Sequence, residues 1–161
     1  MSSVLLGILI VLACYDLKSR RLPNHLLFPT IIVGVFVQVI SADWLSAVAG
    51  MGTAFLLTLF PVLLRGMGMG DQKLLMIVGA WTSPVETYQI FFYSILISAG
   101  SILLFPYRWS MVYHHLMGTA GAWHAHRRIW LPKVKDSALS MPYAVCLLLA
   151  YFVHGGLLRY E

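Results

Sequence analysis

Residues 66–73 read Gly66-Met67-Gly68-Met69-Gly70-Asp71-Gln72-Lys73, and the apolar run that begins at Leu74 follows directly. A glycine at every second position keeps side-chain bulk off the backbone and widens its conformational choice. The stretch ends in a carboxylate placed where another backbone can approach closely. On both sides the chain is built of long apolar blocks, so Asp71 stands at the edge of one. Asp16 has the same setting: it closes the first apolar block and precedes the basic run Lys18, Arg20 and Arg21. These two acids are the candidate chemistry, and the blocks around them decide the fold.

Hydrophobic residues make up 60% of the 161-residue chain and charged residues 11%, with a mean hydropathy of +0.81. Ordinary globular chains carry about 25% charge, so the bilayer is the expected solvent. Six apolar blocks run over Val4–Tyr15, Leu26–Ile40, Trp44–Leu64, Leu74–Trp81, Tyr88–Pro106 and Ala138–Leu158. A helix needs about 20 residues to cross the hydrocarbon core. The first, second and fourth blocks reach that only with their flanks, which draws Asp16 and Asp71 to the membrane edge. The expected fold is all-α, a polytopic membrane protein with six transmembrane helices in a single domain over residues 1–161. Pro29 and Pro61 are expected to kink or end a turn, and Pro142 to do the same or open the last helix. Faces of small residues, Ser46/Gly50/Ala54 and Ser94/Ser98, are expected to bring helices close together.

Orientation follows from the basic residues. With the N-terminus outside, ten of the eleven Lys and Arg fall in the three cytoplasmic connections. The outer connections hold Asp43 and Glu86 and no Lys or Arg, as the positive-inside rule requires. The same rule accounts for the net charge of +5 without a nucleic-acid partner. The first block is expected to be a retained helix and not a cleavable signal, because its positive residues follow the apolar stretch. Residues 107–136 mix aromatic and basic side chains and are expected to form a cytoplasmic or interfacial connection. Cys14 and Cys146 lie in apolar blocks and are read as packing residues. His114, His115, His124 and His126 lack the spacing of a helical metal pair, and no metal or other cofactor is expected.

Asp43, Glu86, Asp136 and Glu161 are read as solvated charges of connections or of the terminus. Asp16 and Asp71 differ, because a carboxylate at an apolar span is costly unless it is paired or wet. Ion pairs of Asp16 with Arg20, and of Asp71 with Lys73 or Arg21, are one solution. The flanking residues favour another. Asp16-Leu17-Lys18-Ser19-Arg20-Arg21-Leu22-Pro23-Asn24 and Gly68-Met69-Gly70-Asp71-Gln72-Lys73 together resemble the type IV prepilin peptidases, the G-x-G-D membrane aspartic proteases. In that family an aspartate ends the first core helix, a basic run and Leu/Ile-Pro-Asn follow it, and G-x-G-D-x-K comes two spans later.

The resemblance implies that Asp16 and Asp71 are the catalytic pair. Gly68, Gly70 and Lys73 are then motif-loop residues, and Arg20, Arg21, Pro23 and Asn24 structural or substrate-orienting ones. It implies an aspartic endopeptidase of the bacterial cytoplasmic membrane. The partner would be a prepilin or pseudopilin with a basic cytoplasmic leader ahead of a hydrophobic helix. A preflagellin-type substrate is left open. The chain lacks the paired C-x-x-C segment of longer members and resembles the short Tad/Flp form, so N-methyltransferase activity is not part of the expectation. The alternative is a non-enzymatic membrane subunit, a scaffold or transporter component that uses the two aspartates for ion pairing or proton passage.

Overall fold

The computed structural model describes residues 3–19, 22–41, 43–64, 66–104 and 142–157. Arg20, Arg21 and residues 107–136, with their four histidines, lie outside the described residues. All regular structure among those described is helical: α1 (Ser3–Ser19), α2 (Asn24–Ile40), α3 (Trp44–Leu63), α4 (Met69–Trp81), α5 (Pro84–Leu104) and α6 (Tyr143–Leu157). Each apolar block became a helix, and most helices extend past their block into polar residues. A backbone ladder propagates through any residue with tolerable helix propensity, whatever its hydropathy.

The helices are not uniformly long. Among the described residues only α3 is both long and apolar enough to cross a bilayer; α2 and α6 are apolar but shorter. The central helix, α4, has 13 residues, about 20 Å at 1.5 Å per residue. It packs against α2, α3, α5 and α6, and Leu74, Leu75, Ile77, Val78, Gly79 and Ala80 are all buried. A helix that is apolar all round belongs inside a bundle, and protein rather than lipid surrounds this one. α1 packs chiefly on α6, and α6 in turn on α5.

Most large apolar side chains of the outer faces remain uncovered. Phe28, Ile32, Phe36 and Ile40 on α2 are more than half exposed, as are Leu45, Leu56 and Phe60 on α3. Soluble monomers do not leave so extensive an apolar surface to water. The interior is closed with smaller groups. Gly50 of α3 and Gly79 of α4 meet backbone to backbone, and a Cβ on either would collide with the carbonyl of the other. On α3 the buried face is Ala47, Gly50, Ala54 and Thr58, which keeps two of the three small residues expected there and leaves Ser46 half-buried. Gly34 of α2 makes room for the Trp81 ring, whose Nε1–H donates to the Thr30 carbonyl at 3.2 Å.

Pro29 lies inside α2 and Pro61 inside α3, two residues before that helix ends. Two expectations need correction. Cys14 is exposed on α1 and only Cys146 packs in the interior. Glu86 is not a free loop charge. Its carboxylate accepts from the Ser83 N–H at 3.1 Å while Ser83 Oγ accepts from the Glu86 N–H at 3.3 Å. That reciprocal pair is a capping box at the start of α5.

Candidate active site

Asp71 is fixed by the start of its own helix. Gly68 precedes α4 in extended conformation, and its carbonyl accepts from the N–H groups of Asp71 and Gln72 at 3.1 and 3.2 Å. The Asp71 carboxylate turns back to accept the Gly68 N–H at 3.3 Å through Oδ2. An acidic group in the first turn also sits well in the field of the helix dipole. A Cβ on Gly68 would stand 3.3 Å from Asp71 Oδ2, whereas one on Gly70 would meet only Leu22 at an ordinary 3.8 Å. The two motif glycines are therefore not equivalent. Neither backbone enters the left-handed region, so Gly68 serves the carboxylate by its lack of bulk rather than by conformational freedom.

Asp16 lies near the C-terminal end of α1 and is buried, with 7% of its surface accessible. Its Oδ2 accepts the backbone N–H of Ala144, in the first turn of α6, at 3.3 Å. The end of α1 and the starts of α4 and α6 thus meet at one end of the bundle. There Asp16 is close enough to Asp71 for its charge to act on it.

Two further motif residues are brought together. Lys73 Nζ donates to Asn24 Oδ1 at 2.8 Å and lies 5.2 Å from the centre of the Phe28 ring. The ammonium thus ties the first turn of α4 to the first turns of α2 instead of being spent on Asp71. Pro23 is the N-cap of α2, and its carbonyl accepts from Leu26 N–H and Leu27 N–H. The capping residue is extended, at φ −73° and ψ 137°, which proline's ring favours. Arg20 and Arg21 are not described. Sequence reasoning missed Ala144, Tyr143, Ser94 and Phe28. For Ala144 the one available signal was Pro142, which marks a helix start and hence a set of free N–H groups.

Of the two carboxylates at this end of the bundle, Asp16 is held by a backbone donor and Asp71 by its own helix start. No curated protein and no solved structure is recognisably similar to the chain. The sequence profile of the type IV leader peptidase family matches residues 3–103, which include both aspartates and both flanking motifs. By that match, over more than half its length, the chain belongs to the type IV leader peptidase family.

Proposed function

We propose that the protein is a membrane-embedded aspartic endopeptidase that removes the basic leader of prepilin-like proteins at the cytoplasmic face of the inner membrane. The observation that supports this reading is that Asp16 and Asp71, 55 positions apart in sequence, stand at one end of the bundle with the charge of Asp16 acting on Asp71. Like charges that close do not both persist, so such a pair holds one proton between its two carboxyls. The ionised member takes a proton from water as the water attacks the scissile carbonyl. The protonated member donates to the carbonyl oxygen. Burial strengthens both interactions by excluding bulk solvent.

The substrate class follows from family membership and from the surroundings of the pair. Lys18 and Lys73 lie at the same end of the bundle as the aspartates, and uncovered apolar side chains clothe the helices behind them. That end then faces the cytoplasm and the bundle crosses the inner membrane several times. A bond between a basic leader and an apolar helix would arrive at that level. Gly68 leaves the backbone ahead of Asp71 unobstructed, so an extended chain can lie along it.

The reading is tested by replacing each acid with its amide. Asp16→Asn and Asp71→Asn are each expected to accumulate in membranes at the wild-type level and to abolish leader cleavage of a co-expressed prepilin. Normal processing in either variant would reject the assignment. A transport defect with intact processing would instead indicate a non-enzymatic membrane subunit.

A further inference from the structure

The family profile ends at residue 103, yet a backbone donor to Asp16 comes from beyond it. α6 begins at Tyr143, and the first four N–H groups of a helix have no partner in their own ladder. The earliest ladder bond described runs from Val145 N–H to the Pro142 carbonyl at 3.0 Å. The N–H of Ala144, in the first turn, donates to Asp16 Oδ2. A bond from a helix N-terminus to a carboxylate is charge-assisted and aligned with the helix dipole.

The residue before it is equally constrained. The Tyr143 hydroxyl lies 3.0 Å from Ser94 Oγ of α5. Ser94 Oγ donates its own proton to the Phe91 carbonyl at 2.7 Å, so Tyr143 is the donor of the pair. Ser94 is fully buried. Consecutive residues of α6 therefore face two ways: Tyr143 anchors the turn to α5, and Ala144 presents its N–H to α1.

We propose that the first turn of α6 is a positioning element of the active site. The Ala144 N–H orients the Asp16 carboxylate, and the Tyr143–Ser94 bond sets where that N–H stands. The inference rests on the peptidase reading and deepens it by adding residues outside the two recognised motifs. Their role is orientation, so the chemical step suffers from their loss and substrate binding does not.

The test uses the full chain in lipid nanodiscs and a fluorogenic peptide with a basic leader, a glycine and an apolar segment. Ala144→Pro removes the N–H in the first turn of α6, where a helix tolerates proline. It is expected to lower kcat by about 100-fold, the scale of a misplaced catalytic group, with KM changed less than about threefold. The conservative Ala144→Gly keeps the N–H and is expected to restore kcat to within about threefold. Tyr143→Phe and Ser94→Ala each remove one side of the anchor. Each is expected to lower kcat about three- to tenfold, and the double variant no further than the worse single one, as for two residues of one bond. If Ala144→Pro does not accumulate, that cycle decides alone.

Equal kcat in Ala144→Pro and Ala144→Gly, or additive losses in the anchor cycle, would overturn the proposal. Asp16→Asn is assayed alongside. If it is inactive while Ala144→Pro is unimpaired, only the role of α6 falls. If Asp16→Asn itself cleaves, the peptidase reading falls with it.

Discussion

Gly68 stands at φ −76° and ψ 149°, a conformation open to any residue, so alanine there costs no backbone strain. Its Cβ would press on Asp71 Oδ2 from 3.3 Å and shift the carboxylate by a few tenths of an ångström. Gly68→Ala is accordingly expected to lower kcat about tenfold while leaving the thermal midpoint nearly unchanged, as measured by peptide cleavage and by a melting scan. Lys73 carries a second prediction. Its ammonium serves Asn24 and the Phe28 face together, so Lys73→Met and Asn24→Ala break one shared contact. Their effects on processing are expected to be less than additive, by about 0.5–3 kcal/mol for residues in contact, and strict additivity would show that the tie is idle. At this scale the setting of both aspartates at helix ends was legible, because each abuts an apolar block. Ala144 was not, because a backbone N–H is the same on every residue but proline. Glu86 could have been read correctly: Ser83-Pro84-Val85-Glu86 has the spacing of a capping box, which its place in a connection obscured.

Between elements, the closest approach is α3 on α4 at Gly50 and Gly79. A methyl on Gly50 meets backbone, which cannot rotate aside as a side chain can. Gly50→Ala is expected to cost about 1–3 kcal/mol, the range for overpacking, seen as a lowered thermal midpoint and faster proteolysis in membranes. Gly52, on the same helix, has open space around it. There Gly52→Ala is expected to be neutral or to stabilise by up to about 1 kcal/mol through helix propensity. Equal behaviour of the two variants would contradict the packing described. Hydropathy marked six helices with ends shifted by up to five residues, the largest shifts falling at Met69–Leu74 and Ala138–Tyr143. It marked Gly50 and Ala54 as a packing face. It did not mark Gly79 as the partner, because a small residue in an apolar run says nothing about which helix it will meet.

For the molecule as a whole, the distribution of charge makes a prediction about sidedness. The aspartates share an end of the bundle with Lys18 and Lys73, and Asp43 lies at the other. Single cysteines at Lys18 and Asp43, in a background without Cys14 and Cys146, are expected to react with an impermeant thiol reagent from opposite faces. Lys18 should be reached from the cytoplasm and Asp43 from outside, as charge bias directs. Labelling of both from one face would invert or collapse the topology. α2, α3 and α4 pack on one another and carry Asp71, while α1 leans chiefly on α6 and carries Asp16. The pair therefore straddles a seam. On the Asp71 side, Gly50 and Gly79 leave no cushion of side chains between α3 and α4, and backbones in direct contact have nothing to compress. On the Asp16 side the buried faces are Leu5, Leu9 and Leu12 on α1 and Ala144, Leu147 and Ala150 on α6, so side chains and not bare backbone fill that contact. The α3–α4 contact is thus the stiffer of the two, and Asp71 stands on its side of the seam.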